Sequence, residues 1–223
     1  MNKIFKIFTF LLLCIFALQP IRAQEMPPFY TDIQSFKKQD SIHFPPARAI
    51  LFVGSSSFTN WTDVQNYFPH YPIINRGFGG SSLPDVIRYA DDIIIPYHPK
   101  QIIIYCGEND LAGSDTVTAH QVFVRFKQLY KIIRNHYPNI PVAYVSMKPS
   151  PSRKHLMAKM VAGNNLIRNY LRTQKNTVFI DVYHKMLDAS GYPVNNIFIE
   201  DSLHMNPKGY AIWQKAIAPY LLK

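Results

Sequence analysis

The chain has 223 residues, a formal net charge of +10 and two cysteines. That length suits one domain, and the basic residues are scattered, with no run longer than Lys37-Lys38 or Arg153-Lys154. The charge therefore reads as solvated surface, with at most a bias toward acidic glycans or membrane surfaces, and no nucleic-acid partner is expected.

Residues 1–23 have the make-up of a signal peptide: a basic start at Lys3 and Lys6, an apolar run over residues 8–18 that is too short to span a bilayer, and the small residue Ala23 before Gln24. Cleavage there would leave about 200 residues. It would also remove Lys3, Lys6, Arg22 and Cys14. The product would be secreted or periplasmic, with no stable membrane anchor. Cys106 would then be the lone thiol, unable to form an internal disulfide, and its place at the end of an apolar run reads as buried and structural.

Residues 24–48 are polar and rich in Pro and Lys, a leader segment expected to wrap the domain that follows over residues 49–223. In that domain, apolar β-branched or aromatic runs at 49–53, 73–74, 101–105, 141–145 and 177–180 alternate with helix-period segments. The runs read as strands buried on both faces. A helix is expected near residues 60–67. Thr118 and Gln121 have capping-box spacing, and Val122, Phe126, Leu129 and Ile133 follow at helical intervals. Leu156, Met160, Ile167 and Leu171 fit a further helix. Asn206-Pro207 is an N-cap followed by Pro, before a face made of Tyr210, Trp213, Ile217 and Tyr220. The alternation predicts a three-layer α/β domain with a mainly parallel five-stranded sheet, whose ligands sit beyond the carboxyl ends of the strands.

Four segments carry candidate chemistry. Gly54-Ser55-Ser56-Ser57 ends the first strand, where a glycine permits a sharp turn and a serine at a helix start lies near the positive end of the dipole. Asn75-Arg76-Gly77-Phe78-Gly79-Gly80-Ser81-Ser82 leaves backbone N–H groups bare for an anion, and it lacks the third glycine of a dinucleotide loop at Ser82. Gly107-Glu108-Asn109-Asp110 follows the third strand, where an Asn amide can serve a developing oxyanion. Asp201-Ser202-Leu203-His204 precedes the last helix, and a spacing of three lets the carboxylate accept the Nδ1 proton and aim Nε2 at a nucleophile. No other histidine is expected to have a comparable partner. No second His or Cys stands at zinc-ligand spacing near His204.

In this order, the four segments resemble the blocks of the SGNH hydrolases, also called GDSL esterases and lipases. The resemblance covers roughly residues 49–222. The Gly-Ser-Ser-Ser form, with Ser55 where many members have Asp and with Trp61 nearby, is similar to the branch of platelet-activating-factor acetylhydrolase subunits. The family resemblance implies a flavodoxin-like sheet, an acyl-serine intermediate, no metal and no cofactor. It implies Ser56, Asp201 and His204 as catalytic residues, and an oxyanion hole made of the Ser56 and Gly80 N–H groups with the Asn109 side chain, Gly79 being the rival of Gly80 for that place. Residues 147–150, Met-Lys-Pro-Ser, also match that branch, without a role. Position 58 is Phe, so the Gly-x-Ser-x-Gly elbow of the α/β-hydrolases is absent.

The expectation is a secreted serine esterase hydrolysing short-chain esters, acetyl above all, on an acylated small molecule or glycan. The alternatives are an O-acyltransferase on a glycan, a lysophospholipase and a non-catalytic glycan-binding domain. Asn60, Trp61, Arg76 and Lys148 are expected near the site, suited to a sugar ring.

Overall fold

The structure is a computed structural model that describes residues 26–223; the signal-peptide reading of residues 1–23 lies outside them. The five apolar runs form strands β1 (Ile50–Gly54), β2 (Ile73–Gly77), β3 (Gln101–Tyr105), β4 (Val142–Val145) and β5 (Thr177–Ile180). They make one parallel sheet in the order β2-β1-β3-β4-β5. The second strand runs three residues past the Ile73-Ile74 pair, through the polar Asn75 and Arg76, because backbone pairing with β1 holds it extended.

Helices cover both faces. They are α1 (Tyr30–Ile42), α2 (Ser56–Thr59), α3 (Val64–Tyr67), α4 (Leu83–Arg88), α5 (Ala90–Ile93), α6 (Glu108–Ala112), α7 (Ala119–His136), α8 (Met157–Leu171) and α9 (Pro207–Ile217). Thr118 and Gln121 form the capping box of α7, and Asn206 accepts from the N–H groups of Lys208 and Gly209 at the start of α9. Two expectations are corrected. The helix placed at residues 60–67 is helical only over α3, and a separate short helix, α2, precedes it directly after β1, with the non-helical residues 60–63 between the two. Tyr220 is not on the α9 face, since α9 stops at Ile217 and Tyr220 is exposed in a short 3₁₀ turn containing Pro219.

Successive residues of β1 point to opposite faces. Leu51 and Val53 pack with α4, α5, α7 and α8 residues, while Ile50 and Phe52 join an aromatic cluster of Phe58, Trp61, Tyr105 and Trp213 beneath α9. Residues 24–48 hold α1, which the polar composition did not signal. It is fastened by Ile33, by the Lys37–Asp92 ion pair and by Asp40, which is bound to Arg76 and Tyr97.

The register decides where chemistry can sit. Gly54 lies level with Gly77 on one side and Tyr105 on the other. The loops after β1, β2 and β3 therefore leave the sheet side by side, where β1 sits between β2 and β3 and the strand order reverses, which is the crevice such sheets offer to ligands.

Candidate active site

Gly54 is obligatory at the turn out of β1. Its φ is +143°, and a Cβ there would lie 1.8 Å from the carbonyl oxygen of Tyr105. The chain turns at Ser55 into α2, with Ser56 as its first residue. A four-residue helix has little macrodipole, so this start offers chiefly the bare N–H of Ser56 rather than the field expected from the sequence. Asn75 fixes the other end: its amide donates to the Phe58 carbonyl at 2.6 Å, and the Tyr210 hydroxyl donates to the Ser57 carbonyl at 3.0 Å.

His204 and Ser56 are 148 residues apart in sequence, yet His204 Nε2 is 3.0 Å from Ser56 Oγ. His204 Nδ1 is 2.5 Å from Asp201 Oδ2, and Asp201 Oδ1 accepts from the backbone N–H groups of Leu203 and His204 at 2.9 Å each. Partial burial would raise the Asp201 pKa, but these hydrogen bonds and the neighbouring imidazole outweigh it and hold the carboxyl down at about 2. The carboxylate is thus ionised at neutral pH, and it orients the ring.

Gly80 has φ +82°, a left-handed conformation that favours glycine, and both Gly79 and Gly80 are exposed. Neither the Gly80 N–H nor the Ser56 N–H has an acceptor among the described residues. Ser81 closes the loop by donating from Oγ to the Gly54 carbonyl at 3.1 Å. Asn109 behaves differently from the expectation. Its amide nitrogen donates to Ser55 Oγ at 2.6 Å and to the Ser81 carbonyl at 3.0 Å, so both hydrogens have protein acceptors. Asp110 lies off the site. It accepts from the Leu83 N–H and pairs with Arg125, both at 2.8 Å, which ties the glycine loop to the Asn109 turn.

The structure therefore brings Ser56, Asp201, His204, Gly80 and Asn109 into one crevice, and separates three of the four residues expected to face a sugar. Trp61 is fully buried and stacked on Tyr210 at 4.8 Å. Arg76 is buried against Asp40 and Tyr97. Lys148 is 1% exposed beside Glu108. Asn60 alone of the four is exposed. Each lies near a motif in sequence, but the apolar contacts of the first and the ion pairs of the other two turn them inward.

Sequence reasoning missed two features. Asp181 and His184 repeat the Asp-x-x-His spacing after β5, with Nδ1 2.7 Å from the carboxylate, so His204 is not the only histidine so partnered. Among the described residues no serine hydrogen-bonds to it; the imidazole is 62% exposed and Arg168 shares the carboxylate. The second is a buried charge cluster. Glu108 accepts from Arg153 at 2.8 Å, from Lys148 at 3.4 Å and from the Tyr105 hydroxyl. The signal was present in the two acid–base segments, but nothing local says that they meet.

The model of the GDSL-like lipase/acylhydrolase family matches residues 46–212. The chain belongs to that family. It is a carboxylic-ester hydrolase, in keeping with the constellation above. Among solved structures it is similar to a GDSL-like lipase from Bacteroides thetaiotaomicron, at 18% identity and a TM-score of 0.73, over 84% of this chain and 96% of that one. It is also similar to an acetyl xylan esterase from Geobacillus stearothermophilus, at 12% identity and a TM-score of 0.63, over 78% and 95%. Identities this low speak for the fold. A curated relative, the N-acylneuraminate cytidylyltransferase of an Escherichia coli O18:K1:H7 strain, is 22% identical over 90% of this chain, which spans 47% of that relative's length.

Proposed function

We propose that this chain is an exported serine esterase that removes short acyl groups, acetyl above all, from carbohydrate through an acyl-serine intermediate. One observation carries the mechanism: Ser56 Oγ lies 3.0 Å from an imidazole nitrogen whose ring is oriented by a carboxylate. His204 accepts the Ser56 proton as Oγ attacks the ester carbonyl. The oxyanion that forms takes hydrogen bonds from the Ser56 and Gly80 N–H groups. His204 then gives the proton to the leaving alcohol, and a water activated by His204 releases the acid. Asn109 contributes once one of its hydrogens turns from Ser55 Oγ toward the oxyanion. In the free enzyme Ser55 holds that amide in place.

Carbohydrate is favoured because the crevice is open. Gly79, Gly80 and Asn60 are exposed around Ser56, and a long acyl chain gains roughly 0.8 kcal/mol per methylene only where it can be buried. The curated relative is named for N-acylneuraminate and one structural neighbour for acetyl xylan, which supports the same class. Export rests on the make-up of residues 1–23.

The test has two arms. A fluorophosphonate should label Ser56, with labelling abolished by Ser56→Ala; a tag on Ser55 or Ser57 refutes the nucleophile. Mature protein should then be screened on p-nitrophenyl esters of rising chain length and on acetylated glycans. Acetyl transfer to a glycan hydroxyl in preference to water would make the chain a transferase.

A further inference from the structure

We propose that the loop at residues 148–153 is a brace that sets the Asn109 turn and the His204 turn at a fixed separation, with Ser152 and Arg153 as positioning residues. The inference rests on the reading of Ser56, Asp201 and His204 as the triad, and adds a role for a segment outside it.

The loop grips both turns. At one end Arg153 Nη1 donates to Glu108 Oε1 at 2.8 Å, and Lys148, buried in the same loop, approaches both carboxylate oxygens at 3.4 Å. Glu108 directly precedes Asn109, so this end anchors the turn that carries the amide. At the other end the Ser152 N–H and Oγ both donate to the Ser202 carbonyl, at 3.1 and 2.9 Å. Ser202 lies between Asp201 and His204 and has φ +56°, a left-handed conformation that a serine adopts at some cost. The Ser202 N–H donates to the Ile199 carbonyl at 2.9 Å, and the Ile199 N–H donates to the His204 carbonyl at 2.9 Å. The turn is thus bound on its inner side by its own backbone and on its outer side by Ser152.

Such a brace answers a mechanical need. Ser56 and Asn109 leave adjacent strands β1 and β3, so the sheet sets their spacing. Asp201 and His204 come from the loop before α9, far along the chain from the end of the last strand, Ile180. Their connection to the Asn109 turn runs through residues 148–153, which leave β4, the neighbour of β3. A small displacement of a general base from its nucleophile costs rate out of proportion to its cost in stability.

Ser152→Ala removes one of the two bonds to Ser202 while sparing the backbone donor, and Ser152 is exposed, so the fold should survive. The expected result is a fall of about threefold to tenfold in kcat, with KM and Tm near wild type and with Ser152→Thr restoring the rate. The low-field proton resonance of the His204–Asp201 hydrogen bond should broaden in Ser152→Ala and return in Ser152→Thr. Arg153→Met, at the other end, should lower kcat likewise, and the double variant should lose less than the product of the two, since both cut one brace. Wild-type kcat in Ser152→Ala, a loss that Ser152→Thr fails to restore, or strictly multiplicative losses would overturn the brace. Failure of the triad reading looks different: Ser56→Ala would keep hydrolysing esters whatever the state of Ser152.

Discussion

Replacing Glu108 by Gln tests whether the charge cluster beneath the site is structural. Lys148 and Glu108 have side chains only 1% and 5% exposed, and Arg153 is 17% exposed. Burial alone would raise the Glu108 pKa, but Lys148, Arg153 and the Tyr105 hydroxyl overcome it and hold the carboxyl below its ordinary value. Burial likewise pulls Lys148 down, with Glu108 opposing. Glu108→Gln keeps an acceptor for Arg153 but leaves the Lys148 ammonium buried without an adjacent carboxylate. Breaking a buried pair from one side costs about 3–5 kcal/mol, and the retained acceptor places this case near about 3. For a domain of this size that is a fall of about 6–12 °C in Tm. Urea unfolding should give the loss directly, and Glu108→Gln with Lys148→Met should recover most of it, because the fully buried ammonium is gone and the partly exposed Arg153 keeps an acceptor in Gln. The pH dependence has a definite sign. A carboxyl lowered in the folded state adds stability above its unfolded pKa, about 4.3, and that share is lost as pH falls through the folded value. The wild type should therefore lose stability below about pH 4 by a component that Glu108→Gln lacks. A variant within about 1 kcal/mol of wild type, or a double variant no better than the single, would refute the reasoning.

Asn109→Ala should lower kcat by about 10²–10³ with little change in KM, as for a lost oxyanion donor; a change in KM alone would make it a substrate-binding residue. Asp201→Asn should cost less than Ser56→Ala or His204→Ala, since it orients the ring rather than moving a proton, and equal losses would contradict that division. With the Asp201 pKa held at about 2, its carboxyl carbon shift should stay constant from neutral pH down to about 4, and a midpoint near the free value of about 3.9 would refute the bonding around it. Acetyl esters should exceed octanoyl esters by about tenfold or more in kcat/KM, and rates climbing steadily with chain length would point to a lysophospholipase. EDTA should leave the rate unchanged; inactivation reversed by zinc would defeat a metal-free mechanism.

Much of this was legible along the chain because it is periodic or local. Strands buried on both faces are written as apolar runs, so β1, β3 and β4 lie where those runs do, while the edge strands β2 and β5 are only partly buried and β2 continues past its apolar pair through Asn75 and Arg76. The capping box at Thr118 and the Asn206-Pro207 start involve residues three apart or fewer, and local pairing suffices to define them. The helix α1 was not legible, because its 13 residues bury only Ile33 and it is held by ion pairs to Asp92 and Arg76, partners far along the chain.

What the sequence alone determined, then, was the alternation that makes the sheet and the set of residues able to do the chemistry. The tertiary structure decided which of them meet. Asp201–His204 and Asp181–His184 have the same spacing and nearly the same local geometry, at 2.5 and 2.7 Å. Only the first reaches a serine, because the loop before α9 folds across the ends of β1 and β3 while the segment after β5 lies at the sheet's edge. Likewise Ser55 and Ser56 are chemically identical neighbours. The turn at Gly54 gives one to Asn109 and the other to His204. Trp61, Arg76 and Lys148 sit beside the motifs in sequence, yet burial and ion pairing turn them inward. Side-chain direction depends on the sum of long-range contacts, which no short stretch of sequence contains.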